Sequence, residues 1–139
     1  MELKTVLNRI VNHPLNKDKK SAAIARFVNW QLRSRLYKKQ RVINYVNNSK
    51  MIVQRGFSSS TAVYYMGLSE FEEMGFLLHF LRAEDYFVDV GANVGSFSVL
   101  SAAVCGCVTT AIEPIKDSFD LLQKNIALNQ VKNLSLIHI

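Results

Sequence analysis

Only two cysteines, two prolines, one tryptophan and six glycines occur in the 139 residues of this chain. Cys105 and Cys107 are too close together to staple a fold, and with no second pair and no neighbouring histidines they make no zinc site. They read as buried, reduced thiols. No stretch approaches the roughly eighteen apolar residues of a membrane span, and the N-terminus MELKTVLNRIVNHPLNKDKK is too polar for a secretory leader, so a cytoplasmic location is the expectation. What the chain does have is an ordinary globular balance, 49% hydrophobic and 20% charged, which argues for a packed domain rather than a disordered tail.

Its net charge of +6 hides an asymmetry. Residues 1–55 carry thirteen Lys and Arg against Glu2 and Asp18, a balance of +11, whereas residues 56–139 carry four against nine, a balance of −5. A basic arm of this kind can meet nucleic acid, an anionic surface or an acidic partner, or can be a solvated helix face.

Periodicity divides the chain in order. Leu3, Val6, Leu7 and Ile10 predict a short helix ended by His13-Pro14, because a residue before proline is pushed out of the helical region. Ile24, Phe27, Val28, Leu32 and Leu36 predict an amphipathic helix from Ser21, its N-cap, to about Gln40, with Arg33, Arg35, Lys38 and Lys39 largely off the apolar stripe. Trp30 reads either as an anchor against the downstream domain or as a partly exposed core residue. A period of two then takes over, Val42 to Val46 and Met51 to Val53 around Asn47-Asn48-Ser49, which predicts a β-hairpin over residues 41–54. Gly56 and Ser58-Ser59-Ser60-Thr61 read as a linker spanning 55–68. Ser69 and Glu72 have the spacing of a capping box for a helix from Glu70 to about Leu81, with Phe71, Met74, Leu77, Leu78 and Leu81 inward. His79 reads as a packed or surface imidazole, since no partner cluster is visible.

From Tyr86 onward the series is strand, helix, strand, helix, strand. Tyr86 to Val90 predicts a strand buried on both faces, followed by a helix from Gly95 to about Val104, a strand Val108 to Ile112, a helix Ile115 to Leu128 and a last strand Leu134 to Ile139. Such a βαβαβ series forms a parallel sheet through right-handed crossovers and binds ligands beyond the carboxyl ends of its strands. Gly91 and Glu113 both fall there, 22 residues apart. Gly91 and Gly95 permit a tight turn and a close ligand approach, and Glu113, followed by Pro114, offers two acceptor oxygens to the hydroxyls of a ribose. A dinucleotide fingerprint G-x-G-x-x-G counted from Gly91 needs glycine at 93 and 96, where Asn93 and Ser96 stand, and no Gly-Lys-Ser/Thr of a P-loop is present. A ligand with adenine, ribose and an amino-acid tail but no phosphate fits better. That description is met by S-adenosylmethionine, whose tail ammonium Asp89 can face directly or through water.

The run Asp89-Val90-Gly91-Ala92-Asn93-Val94-Gly95, then Glu113-Pro114, then Leu121-Leu122-Gln123-Lys124-Asn125 with Asn129, resembles the FkbM family of S-adenosylmethionine-dependent methyltransferases. The segment Tyr65-Met66-Gly67-Leu68-Ser69-Glu70-Phe71-Glu72-Glu73 and the hairpin before it resemble that family too, so the likeness covers roughly residues 42 to 135. It implies a class I, Rossmann-like methyltransferase fold. It also implies O-methylation of a sugar, glycan or secondary-metabolite hydroxyl by in-line attack on the sulfonium methyl, aided by a base that this stretch does not display. By the same likeness Ala92 and Asn93 belong to the cofactor turn and Glu70 helps line the pocket, with helix capping as the alternative for Glu70. Asn125 and Asn129, four apart on one helix face, support the pocket from a distance or serve as capping or surface residues.

The expected organisation is a basic helical segment, 1–40, and the N-terminal part of a methyltransferase domain, 41–139, with the βαβαβ unit over 69–139. By the same likeness, a full fold of this kind carries several more strands beside the first. The apolar run Leu134 to Ile139 has no stop signal, and SLIHI resembles translated sequencing-adapter read-through, so the reading frame is expected to be truncated and His138 is given no role. Truncation there leaves Tyr86 to Val90 as an open, aggregation-prone edge. The chain by itself is then expected to bind S-adenosylmethionine weakly or not at all, and not to methylate. The rival expectation is a non-enzymatic binding module that works through the basic arm.

Overall fold

A computed structural model describes residues 3–36 and 40–139. Helix α1 (Leu3–Asn12) stops before Pro14, as the sequence predicts, and a 3-10 segment (Pro14–Lys19) then runs straight into α2 (Lys20–Leu36). That continuity removes the N-cap role expected of Ser21: Lys20 already has helical angles, so Ser21 lies inside the helix. The part of the helix expected beyond Leu36, including Lys38 and Lys39, and the side chain of Leu36 lie outside the described residues.

The buried face of α2 is one residue out of phase with the apolar stripe. Ala23, Phe27, Trp30 and Ser34 turn inward at steps of four and three, which leaves Ile24, Val28 and Leu32 as an exposed ridge. Trp30 packs against Tyr64 with ring centroids 5.1 Å apart, so it does anchor the N-terminal helices to the downstream chain.

The hairpin forms as expected. Strands β1 (Arg41–Asn44) and β2 (Lys50–Val53) pair antiparallel with Val42 opposite Ile52. Strand β2 is the seam of the molecule: Met51 and Ile52 enter the core of the sheet unit, while Val53 enters the core formed with α1 and α2. The expected linker is instead occupied by helix α3 (Ser58–Met66). Its polar first turn looks like loop in sequence, but Ser60 and Thr61 donate back to the Phe57 carbonyl at 3.1 and 3.2 Å, and the next turn buries Val63, Tyr65 and Met66. Packing overrides the weak propensity of a serine run here.

Helix α4 (Phe71–Phe80) begins one residue later than expected and has no capping box. Glu70 occupies the N-cap position without a side-chain bond, and Ser69 is buried instead of capping. His79 is exposed.

Strands β3 (Tyr86–Val90), β4 (Val108–Ile112) and β5 (Leu134–Ile137) form a parallel sheet in the order β3-β4-β5, with Asp89 opposite Ala111 and Ala111 opposite Leu136. The first crossover is α5 (Ser96–Val99), which widens into a π-helical turn over Leu100–Val104 rather than remaining α-helical throughout; the second is α6 (Lys116–Leu128). Both crossovers, with α4, cover the face that presents Phe87, Ala111 and Leu136. The other face of β3 is bare. Tyr86, Val88 and Val90 are 64%, 49% and 77% exposed, so β3 is an edge strand with one covered face, not the strand buried on both faces that its apolar run suggests. The open edge itself is as expected.

Candidate functional site

At the carboxyl end of β3 the chain reverses through three left-handed residues, Gly91 (φ 76), Asn93 (φ 51) and Gly95 (φ 87). The turn is tied to the tip of the neighbouring strand. The amides of Gly91 and Ala92 both donate to the Ile112 carbonyl, at 2.8 and 3.0 Å, and the Gly95 amide donates to the Ala92 carbonyl at 2.8 Å. Glu113 completes the tie: one carboxylate oxygen accepts the Asn93 amide at 2.7 Å and the other accepts the Ile115 amide at 2.8 Å. With these four turn amides already bonded to protein acceptors, the loop is a poor cradle for phosphate, which needs several free N–H groups.

The two glycines have different jobs. A Cβ on Gly91 would meet nothing within 4 Å, so a ligand has open access to its backbone. On Gly95 it would lie 2.4 Å from Leu122 Cδ1, so this glycine lets α6 pack against the turn and does not serve ligand approach. Ala92 points into the core, 5% exposed, and can touch a ligand only with its backbone, while Pro114 is exposed at the start of the α6 approach.

Two carboxylates stand at this turn, and a third, Glu70, is near enough to act on Asp89. Glu113 is buried at 3% exposure, Asp89 is half-buried at the strand end, and Glu70 is exposed ahead of α4. Burial pushes the Asp89 carboxyl above its ordinary range; bonding to the Ser98 hydroxyl and amide pulls it partly back, and the fields of Glu113 and Glu70 raise it further. The Ser98 hydroxyl donates to Asp89 at 2.5 Å. Tyr45, from the hairpin side, is likewise driven up, first by burial and then by Glu70. The acidic groups near the turn, in a chain whose total charge is positive, favour a cation over an anion there.

Asn125 and Asn129 turn out to be brackets. Asn125 is fully buried; it accepts the Ile52 amide at 2.7 Å and donates to the Val94 carbonyl at 2.7 Å, joining hairpin to turn through α6. Asn129 accepts from and donates to the Lys50 backbone at 2.7 and 2.8 Å. Thus Asn125 supports the turn from a distance, and Asn129 holds the hairpin. Two residues without any spacing signal also enter the site: Ser98, through Asp89, and Ser59, whose hydroxyl donates to the Asn93 side chain at 2.9 Å. Among the described residues no three His, Cys, Asp or Glu side chains are grouped to hold a metal ion, and no helix is long and apolar enough to cross a membrane.

No protein-family model and no curated protein matches the chain. Solved structures do. TYW2 of P. horikoshii in complex with MeSAdo aligns over 74% of this chain and 37% of its own, with a TM-score of 0.60 and 22% identity. TYW2 of M. jannaschii in complex with AdoMet aligns over 73% of this chain and 44% of its own, with a TM-score of 0.58 and 18% identity. A SAM-dependent methyltransferase from Agrobacterium tumefaciens aligns over 73% of this chain and 32% of its own, at a TM-score of 0.56 and 12% identity. The chain spans less than half the length of each of these proteins, and over that span it has the class I methyltransferase fold.

Proposed function

We propose that this chain is the cofactor-binding portion of an S-adenosylmethionine-dependent methyltransferase of the FkbM type, and that the whole protein methylates a hydroxyl oxygen on a sugar, glycan or secondary metabolite. One observation carries the cofactor reading: an open glycine turn with Asp89 and Glu113 at it and Glu70 acting on Asp89, its Gly91, Ala92, Asn93 and Gly95 amides already bonded. S-Adenosylmethionine supplies an activated methyl on a sulfonium and brings an ammonium, so it is drawn to a negative site; NAD and ATP carry phosphates and are repelled by it.

The chain's own residues then have distinct parts. Each Glu113 oxygen uses one acceptor direction on a backbone amide and keeps another for a ribose hydroxyl, so the same carboxylate sets the turn and grips the diol. Asp89, held at a raised proton affinity, gains a partner when a cation arrives beside it. Gly91 leaves its backbone bare for the ligand, and the Glu70 charge acts on Asp89. Saturation-transfer NMR with S-adenosylmethionine, NADH and ATP in parallel tests the reading. Transfer to the adenine and ribose protons of S-adenosylmethionine alone supports it, and equal or stronger transfer to NADH overturns it.

A second reading rests on the basic arm. Lys4, Arg9, Lys17, Lys19, Lys20, Arg33 and Arg35 are all exposed on the N-terminal helices, as a nucleic-acid or anionic-surface binder requires. If that arm is the working part, residues 1–55 govern binding to RNA or anionic vesicles, and that binding falls steeply with salt.

A further inference from the structure

A cavity of about 440 Å³ lies between α1, α2 and α3, and none of its lining residues belongs to the glycine turn. Its volume is that of a small-molecule site, roughly 300–1,000 Å³. Phe27, Trp30, Tyr65 and Met66 supply an apolar floor, and Arg9 and Arg55 stand on its exposed lining. Among the described residues neither arginine pairs with a carboxylate; the one ion pair there is Lys116 with Asp120. The walls are fixed by buried and half-buried polar bonds rather than by loose contact. The Asn16 side chain donates to the carbonyls of Ile10 and Tyr65 at 2.9 and 3.1 Å, and Arg26 donates to Asn16 and to the same Tyr65 carbonyl at 2.6 and 3.1 Å. That lattice locks the N-terminal helices onto α3, so the cavity is preformed.

An apolar floor with cationic groups on its lining defines a ligand by its chemistry. We propose that this cavity binds a small amphipathic anion, a single alkyl chain or ring with a carboxylate head, its apolar body against Phe27 and Trp30 and its head toward Arg9 and Arg55. Charge complementarity selects the anion, since among the described residues the lining holds no acidic side chain. The Tyr65 hydroxyl, pushed up to about 12 chiefly by burial, accepts from Gln31 at 3.4 Å and keeps its own proton to donate to such a head. This site does not depend on the cofactor reading, although Ser58 on its lining adjoins Ser59, which bonds Asn93 of the turn.

Trp30 is the sole tryptophan of the chain and lines the cavity, so its fluorescence reports occupancy directly. The full chain is titrated with sodium decanoate, with hexanoate, 1-decanol and decylamine as comparisons. The expected result is a saturable change in Trp30 emission with decanoate, weakening by about threefold or more for each methylene removed, and far weaker responses to the alcohol and the amine. Arg9→Gln and Arg55→Gln, at exposed positions that leave the fold intact, each weaken decanoate binding by about threefold. Ala62→Phe fills the cavity and abolishes the response, with circular dichroism checking that this variant is folded. Absence of a saturable change, equal affinity for 1-decanol or decylamine, or arginine variants that bind decanoate as the parent does would overturn the proposal.

Discussion

The Asn93 amide donates to the Glu113 carboxylate at 2.7 Å, so the residue expected to grip the ribose is also the residue that holds the glycine turn in place. Substitution of Glu113 therefore acts twice. Glu113→Gln swaps one acceptor oxygen for an NH2 that faces an N–H donor and leaves one half-buried backbone amide without its acceptor. It is expected to cost about 1–3 kcal/mol of stability, read by urea denaturation, and to weaken cofactor binding beyond what that loss explains, read by titration under conditions where both proteins are folded.

The two glycines of the turn separate by experiment. Gly95→Ala combines a positive φ with a Cβ 2.4 Å from Leu122 and is expected to destabilise by about 2–4 kcal/mol. Gly91→Ala meets no neighbour and is expected to cost only about 1–2 kcal/mol through its φ, yet to reduce ligand affinity more than Gly95→Ala does. Thermal melts with and without S-adenosylmethionine give both quantities.

Asn125→Ala strands the Ile52 amide and the Val94 carbonyl in the core, with an expected cost of about 2–4 kcal/mol. Asn129→Ala, at a half-buried position, is expected to cost about 1 kcal/mol or less. Equal effects in chemical denaturation would contradict the bracket role assigned to Asn125.

Asp89 gives a pH signature. Burial raises its carboxyl above the ordinary value of 3.8, so the folded state holds its proton more tightly than the unfolded state does. Stability from this group is then greatest below 3.8 and is lost as pH rises through the raised folded value. Asp89→Asn keeps an acceptor for Ser98 and removes the charge. The variant is expected to match the parent in strongly acidic solution and to exceed it in melting temperature at neutral pH, while binding S-adenosylmethionine less well. A constant offset across pH would show that burial of the charge is not the cause.

Much of the chain is legible in its sequence because its signals are local. The Val108–Ile112 strand, the hairpin with its Asn-Asn-Ser turn and the end of α1 before Pro14 follow from period and turn chemistry alone. The Ser58–Met66 helix is not legible, since a serine-rich first turn looks like linker until Val63, Tyr65 and Met66 find a core to bury in. The phase of α2 escapes for a related reason: Ile24 and Val28 are as apolar as Phe27, and only the position of α3 decides which side faces in. At the site, sequence spacing places Gly91, Asp89 and Glu113 together, as the structure does. Spacing cannot tell that Gly95 serves packing against Leu122, nor find Ser98 and Ser59, because those contacts arise between elements rather than along one.

The central claim is that S-adenosylmethionine sits against the turn from Gly91 to Gly95 and the Glu113 tip, and amide-resolved NMR tests it most directly. Titration of the isotope-labelled chain with S-adenosylmethionine is expected to shift the Gly91, Asn93 and Glu113 amides first, with an affinity weaker than micromolar because this chain spans less than half of the enzymes it resembles in fold. Shifts with S-adenosylmethionine that spare the turn amides and fall elsewhere in the chain, or larger shifts of the same amides with NADH, would contradict it.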